Sequence, residues 1–493
     1  METVRLSGAD RGFFAALAEV AFRNPFSAER AQLIKRLAPD AELGDLTKDR
    51  EALARVVMPR IETLLRAGAK AVEGLSTADR ALIEPALLYV CYHRHVPAID
   101  ALIERQAATG GGAPSVVPFA NELIGDLVQC AFAEEVAVRY LALFYQLRRA
   151  FYFIHRSLVG DCESMRRLRQ ALWNNVFTHD MRGYNATLWS RMEDFSTLLL
   201  GETGTGKGAA AAAIGRSAFI PYVPNERRFA ANFADTFISI NLSQFPEQLI
   251  ESELFGHRKG SFTGAIENHE GVFGRCSPHG ALFLDEIGEV SVPVQIKLLQ
   301  VLQERSFTPL GGHDKRRFSG RVIAATNRRL SELRSDGGFR DDFYYRLCTD
   351  VIEVPTLRER LAESPAELNE LVGQLVTRIA DNDDAALAAN VLDSLQQSVP
   401  RGYSWPGNVR ELEQAVRRVL LAGRYQVEPV PAIGDEETAL AEAMRAGTLT
   451  ADELLGGYCA LLHRRLGTYA EVAKRTELDA RTVRKYVESA KLK

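Results

Sequence analysis

Long apolar runs are missing from this chain of 493 residues. No uncharged apolar stretch reaches the roughly 18 residues that a membrane span needs, so no membrane-spanning helix and no membrane partner is expected. The opening Met1-Glu2-Thr3-Val4-Arg5-Leu6 lacks the basic-then-apolar order of a secretory signal, so a cytoplasmic location is expected. Cysteine is sparse: Cys91, Cys130, Cys162, Cys276, Cys348 and Cys459 lie far apart and form no Cys-x-x-Cys pair. That spacing argues against a disulfide framework or a metal site and fits a reducing compartment. The run Cys91-Tyr92-His93-Arg94-His95 offers metal-ligand types, but its apolar surroundings read better as a buried helix face. A strong charge of either sign is also absent; the net charge of -4 implies no class of partner. There is no internal repeat and no low-complexity tract. What remains, 46% hydrophobic and 25% charged residues, is the mix of a globular protein, and about 150 residues per domain suggests three domains.

The first region, residues 1–155, reads as all-helical. Ala81–His93 and Glu134–His155 are dense in apolar residues with few strand signals, and the Gly-rich Thr109–Pro114 divides the region. From residue 156 to 350 short apolar runs alternate with helical patterns. Ser196–Leu200, Thr236–Ile240, Ala281–Leu284 and Arg321–Ala325 read as buried strands, and Pro293 opens one of the helices between them. Such alternation predicts a mostly parallel sheet with helices on both faces. Residues 351–425 lose the strand signal and read as a small helical subdomain. Residues 426–450 read as a linker, opened by the Pro- and acid-containing Gln426–Glu437, and 451–493 as a short helical end.

Gly201-Glu202-Thr203-Gly204-Thr205-Gly206-Lys207 follows the strand ending at Leu200 and opens an Ala-rich helix. Glycines let backbone N–H groups wrap around phosphates, and the helix N-terminus adds a positive dipole end. Lys207 can reach the β- and γ-phosphates. Gly208 stands where such loops usually place a Ser or Thr for magnesium. About 80 residues on, the apolar strand Ala281–Leu284 ends in Asp285-Glu286. A buried strand carries acids to the edge where open α/β sheets bind ligands. Asp285 would hold magnesium, directly or through water, and Glu286 would polarise an attacking water.

With these motifs in hand, the sequence resembles the AAA+ domain of bacterial enhancer-binding proteins, the sigma-54-dependent transcriptional activators. The resemblance covers about Ser157 to Ala422. It rests on GETGTGK at Gly201, ESELFGHRKGSFTGA at Glu251, ALFLDEIGEV at Ala281, AATNRRL at Ala324, FRDDFYYRL at Phe339 and WPGNVRELE at Trp405, in the family's order. Gly260-Ser261-Phe262-Thr263-Gly264-Ala265 resembles the family's GAFTGA loop, which contacts sigma-54; Ser261 replaces the usual Ala. Two glycines flanking Phe262-Thr263 permit a mobile loop that presents an aromatic ring and a hydroxyl. The resemblance further implies that Asn241 restrains Glu286 until the nucleotide state changes, although the following Leu-Ser-Gln departs from the family's Cys-Ala-Ala. It implies that Thr326 and Asn327 sense the γ-phosphate, and that Arg340 and above all Arg346 act in trans on a neighbour's nucleotide. Arg410 is implied as a second sensor on the lid, and Gly208 as tolerated, since the family commonly has Glu there. Two extensions, Thr178–Glu193 and Phe219–Asp235, have no family counterpart and read as surface insertions or subunit contacts.

The segment Leu461–Lys493 has nine Lys/Arg against four Asp/Glu. Thr468–Thr476 and Ala480–Ser489 read as helices joined by Glu477-Leu478-Asp479, and resemble the helix-turn-helix that ends most enhancer-binding proteins. Ala473, Leu478 and Val483 would form its core; Ala480, Arg481, Thr482, Arg484 and Lys485 would face double-stranded DNA. The N-terminal region shows no acidic pair after a buried strand, so no receiver-like domain; it is expected to sense an unidentified signal or partner. The expectation is therefore a hexameric or heptameric ATPase ring using ATP and Mg2+. It would bind upstream DNA and remodel sigma-54 RNA polymerase. The alternatives are a remodeller of another protein client and a DNA-binding repressor that uses nucleotide only for assembly.

Overall fold

The computed structural model describes residues 6–41, 46–67, 72–335, 338–427, 440–441, 443–445 and 447–490. The chain divides into two compact units, Met1–Tyr425 and Gln426–Lys493. Among the described residues no helix is long and apolar enough to cross a membrane.

The centre of the first unit is a five-stranded sheet: β1 (Thr197–Leu200), β2 (Phe237–Asn241), β3 (Ala281–Asp285), β4 (Arg321–Thr326) and β5 (Asp350–Glu353). Its order is β2-β3-β4-β1-β5 and every pairing is parallel. The three central strands are apolar and buried nearly throughout, as a sheet covered on both faces requires. Two expectations need correction. The second strand was expected to be buried, but β2 is an edge strand in which only Ile240 is fully buried. The segment from residue 351 was expected to be helical, but Asp350–Glu353 pairs with β1. Four residues of edge strand, one of them buried, give too little pattern to read.

Successive strand residues point to opposite faces, and two cores result. Leu199, Phe283, Ile323, Ala325 and Ile352 enter one; Leu198, Leu282, Leu284, Val322 and Ala324 enter the other. The second core is closed by helices that include Val292–Glu304, which carries Pro293 in its first turn, and Asp341–Leu347. The first core takes in the Ala-rich helix Lys207–Gly215 and continues without a break into the N-terminal helical region.

That region contains the helices Gly8–Phe22, Ala28–Leu37, Leu46–Ala67, Thr77–Thr109, Ala120–Gln129 and Glu134–Ser157. Ser7, Ser27 and Ser76 cap the first, second and fourth by accepting from backbone N–H groups of the first turn. The long fourth helix stops at Gly110, whose φ of +72° a side chain would resist.

The two extensions are not mere surface insertions, because their apolar residues form part of the seat of the N-terminal region. Met181, Tyr184, Tyr222, Phe229 and Phe233 are buried in the shared core. Tyr145 stacks on Phe229 at 3.9 Å. The buried Arg149 donates to the carbonyls of Arg216 and Ala218, both at 2.7 Å. Gly112 donates to Asp235 at 2.7 Å, and Asn232 to the Gly110 carbonyl at 3.1 Å.

A helical lid follows β5: Leu357–Glu363, Glu367–Ala380, Ala385–Ser398 and Asn408–Ala422. Thr356 and Glu359 cap its first helix reciprocally. The result is an α/β core with a helical lid, and helical regions on the N- and C-terminal sides, in line with the expected fold class.

The second unit contains Ala451–Leu466, Tyr469–Thr476 and Ala480–Ala490. Its core is Cys459, Val472, Val483 and Val487. Of the three expected core residues Val483 is buried; Ala473 and Leu478 pack only at the margin. The correction follows from the helix before the pair: Cys459 draws Val472 and Val487 inward.

Candidate nucleotide site and partner loop

β1 carries the chain into the glycine-rich loop, where Gly204 and Gly206 hold φ of +82° and +106°. At Gly204 there is a second constraint, because a Cβ would lie 2.2 Å from the Gly407 carbonyl of the lid. The Thr205 hydroxyl donates to the Glu202 carbonyl at 2.9 Å. Lys207 opens the following helix and folds back over the loop, its ammonium donating to the carbonyls of Gly201 (2.7 Å) and Glu202 (3.1 Å). These carbonyls hold the ammonium over the concave side of the loop. Burial pushes the Lys207 amine below the usual lysine range, and the negative charges of Glu286 and Asp285 partly restore it.

β3 ends at Asp285, and Glu286 then adopts a left-handed backbone (φ +56°), rare for a residue with a side chain. Asp285 Oδ1 accepts from the Glu286 N–H at 3.0 Å. Burial, and next the Asp285 carboxylate, raise the Glu286 carboxyl above the ordinary range, while Lys207 and the Asn327 backbone N–H pull it down.

Loop and acids meet in one cavity of about 700 Å³. Its polar wall is Thr203, Gly204, Thr205, Gly206, Lys207 and Gly208 with Asn241, Asp285 and Glu286; Arg410 faces them from the lid. Leu158, Val159, Leu371 and Leu375 give the same cavity an apolar part. Such a division suits a ligand with a charged tail and a flat apolar head. A Cβ on Gly208 would meet nothing within 4 Å, so the missing hydroxyl leaves open space. Gly201, Glu202 and Asn327 line the adjoining cavity, and Asn327 donates to the Thr203 hydroxyl at 3.2 Å. Thr326 ends β4 fully buried, its hydroxyl accepting from the Arg328 N–H.

Of the expected residues, Asn241 lines the cavity without its expected contact, and two arginines lie apart from it. Asn241 Oδ1 accepts from the backbone (3.0 Å) and hydroxyl (2.7 Å) of Ser243, and no hydrogen bond to Glu286 occurs among the described residues. Arg340 is exposed and paired with Asp342, and Arg346 donates to the Leu302 carbonyl; neither lines the cavity of its own chain.

Several groups beyond the expected residues shape the site. Asn408, within WPGNVRELE, is fully buried; it donates to Glu202 and to the Thr203 carbonyl and accepts from the Leu357 N–H. It ties lid to loop, and its place inside a quoted motif was the available signal. Arg358 clamps Glu202 with two hydrogen bonds. Arg156 to Val159, at the end of the last N-terminal helix, line the cavity without any motif to announce them.

Gly260 to Ala265 form a tight loop closed by hydrogen bonds from Gly260 N to Ala265 O (2.8 Å) and from Ala265 N to Phe262 O (3.0 Å). Gly260 and Gly264 have φ of +80° and +101°. Thr263 is exposed; Phe262 is 37% exposed and rests edge-on against His257. Ser261 packs against Gly311, where a Cβ would lie 2.6 Å from the Ser261 Cβ, and its hydroxyl is buried without a hydrogen-bond partner. In the second unit Ala480, Arg481, Arg484 and Lys485 are exposed on one helix. Thr482 is half-buried and donates to Asp479, which caps that helix, and Arg484 pairs with Glu488.

Residues 183–353 match the family model described as the sigma-54 interaction domain. This segment is a sigma-54 interaction domain. The matched stretch contains the phosphate loop, the Asp285-Glu286 pair and the Gly260–Ala265 loop. The chain is similar to nitrogen fixation protein VnfA of Azotobacter vinelandii, 40% identical over 49% of this chain and 44% of that protein. It is similar to transcriptional regulatory protein GlrR of Escherichia coli, 40% identical over 46% of each chain. A third relative is DNA-binding transcriptional regulator NtrC of Azospirillum brasilense, 36% identical over 56% of this chain and 53% of that one. The chain thus spans about half the length of the curated relatives it matches. NtrX from Brucella abortus, solved in complex with ADP, covers 76% of this chain and 80% of its own at 18% identity and a TM-score of 0.40.

Proposed function

We propose that this chain is an ATP-hydrolysing transcription activator that remodels sigma-54 RNA polymerase from an upstream DNA site. One observation carries the reading. The phosphate loop and acidic pair of the cavity lie in the same stretch matching the sigma-54 interaction domain as the glycine-hinged Phe262-Thr263 loop, and the lid closes the cavity from outside that stretch. A remodelling ATPase needs that combination: one site that releases free energy and one exposed element that delivers it.

The N–H groups around Gly204 and Gly206 would cradle the phosphates of ATP, with Lys207 leaving the two carbonyls it now holds to reach the terminal phosphates. The hard oxygen of Asp285 fits Mg2+, which would supply charge neutralisation there when bound. Gly208 offers it no oxygen. Glu286, with its raised proton affinity, would orient the attacking water and take up its proton. Arg410 would sense the phosphates from the lid. Arg346, and secondarily Arg340, would serve a neighbour's site, which agrees with their absence from their own cavity. Head-to-tail contacts of that kind close into rings, here a hexamer or heptamer. Asn241 would exchange its Ser243 bonds for Glu286 as the nucleotide state changes, and Gly260–Ala265 would move with it. In the second unit Ala480, Arg481, Arg484 and Lys485 would face DNA, while Thr482 fixes the start of their helix.

The test is open-complex formation on a sigma-54 promoter in a purified system. The expected result is opening with ATP, none with a non-hydrolysable analogue, and none with Glu286→Gln. ATP turnover without any effect on sigma-54 polymerase would favour another protein client. DNA binding with turnover at background would favour a repressor.

A further inference from the structure

Two helices of the N-terminal region each present two metal-ligating side chains one turn apart. Cys91 and His95 lie at i and i+4 on Thr77–Thr109. Asp126 and Cys130 lie at i and i+4 at the end of Ala120–Gln129, where Cys130 is the C-cap. Residues four apart share a helix face, and these two helices pack together. The Cys91 sulfur, a His95 ring nitrogen and an Asp126 carboxylate oxygen all lie within 4.8 Å of one another. Cys91 and His95 are each 4% exposed and Cys130 7%. Cys130 stands outside that group of three, but it is buried one turn beyond Asp126 on the same helix, so its sulfur would have to turn in to join them.

This is not how an apolar core is built. A carboxylate, an imidazole and a thiol converge between two helices, with a second thiol one turn away, and burying a carboxylate and an imidazole is costly unless each is satisfied. Without a metal, Asp126 Oδ2 accepts from Arg94 (2.8 Å) and faces His95 Nε2 (3.0 Å), which places the carboxylate and imidazole in direct contact beside the Cys91 thiol. We propose that Cys91, His95, Asp126 and Cys130 bind one zinc-class divalent transition metal that staples the two helices together.

The chemistry favours that class. Thiolates and imidazole select zinc over magnesium or calcium. Zinc–ligand lengths of about 2.0–2.3 Å in a tetrahedron place ligand atoms roughly 3.3–3.8 Å apart, so the three atoms, now within 4.8 Å of one another, need to close by up to about 1.5 Å, within reach of side-chain rotation. On binding, each thiol would lose its proton to solvent. Arg94 would stay on Asp126, and the Phe119 ring, 6.4 Å from the His95 ring and stacked on it, would hold the imidazole. Four protein ligands leave no open position, so the site would be structural. The cysteines are distant along the chain, so no Cys-x-x-Cys spacing marks this site. The relevant spacing is instead a four-residue step on each of two helices.

The test uses the full chain, reduced, stripped with a chelator and titrated with Co2+ alone. One equivalent per chain with an intense thiolate-to-cobalt charge-transfer band is expected, bleached by added Zn2+. Cys91→Ser and Cys130→Ser should each weaken binding about tenfold or more and reduce the band, while Cys459→Ser in the other unit should leave both unchanged. Should the serine variants unfold, alkylation of the wild-type chain decides: Zn2+ must protect Cys91 and Cys130 and spare no other thiol. Less than stoichiometric cobalt, a spectrum without the thiolate band, or equal alkylation with and without Zn2+ would overturn the proposal.

Discussion

Glu286 shows how a single residue is prepared for chemistry. A left-handed backbone at a side-chain-bearing residue costs of order 1 kcal/mol or more and persists where the surroundings demand it. Here the turn leaves Glu286 beside Asp285 and across from Lys207, both of which act on its titration. Its carboxyl is raised by burial first and by Asp285 second, and the Lys207 amine is lowered by burial. A base must be ionised to act, so hydrolysis should fall as pH drops through the raised Glu286 pKa. It should also fall as pH climbs through the lowered Lys207 pKa. The pH profile of kcat/KM for ATP should therefore be narrower on both sides than exposed Glu and Lys would allow. An acid limb at or below the ordinary carboxylate range would contradict the role given to Glu286. These two residues were legible in the sequence because phosphate and metal chemistry need neighbours along the chain: a loop that runs into a helix, a strand that ends in two acids. Asn408 and Val159 were not, because they reach the site only through the packing of distant segments.

Among the elements, the two extensions carry the surprise. In the sequence they read as surface insertions or subunit contacts, since their apolar residues are scattered among polar ones. In the structure they meet one helix, Glu134–Ser157, which supplies Tyr145, Gln146 and Arg149 to them. Gln146 donates to the Ser217 carbonyl and accepts from the Tyr184 hydroxyl, both at 2.9 Å. Arg149 is fully buried, and burial pushes its pKa down to about 10, so its charge is held by the carbonyls of Arg216 and Ala218. Arg149→Met keeps the volume but strands both carbonyls, each costing about 1–3 kcal/mol. Urea unfolding of the variant should show a loss of about 3 kcal/mol. A loss of under about 0.5 kcal/mol would mean that this contact does not hold the region in place. The same helix ends in Arg156 and Ser157 at the nucleotide cavity, so one rigid element links the seat of the N-terminal region to the site. Strands were legible where both faces are covered, as in β3 and β4, and misread where one face or one edge is open, as in β2 and β5.

For the whole molecule, the order of motifs along the chain foretold the α/β core, because each motif marks the end of a strand or the start of a helix. It did not foretell that the N-terminal helices share a core with one sheet face, since no local pattern records which surfaces meet. The central claim is that nucleotide chemistry in the cavity is delivered through the Gly260–Ala265 loop to sigma-54. That loop is now closed on itself, with Thr263 exposed and Phe262 half-covered by His257. The most direct test is sigma-54 binding in the presence of ADP and aluminium fluoride, a mimic of the transition state, comparing the wild-type chain with Thr263→Ala. The account predicts a stable complex that depends on the nucleotide mimic and is lost in the variant. Binding that ignores the nucleotide, or that survives Thr263→Ala undiminished, would contradict it.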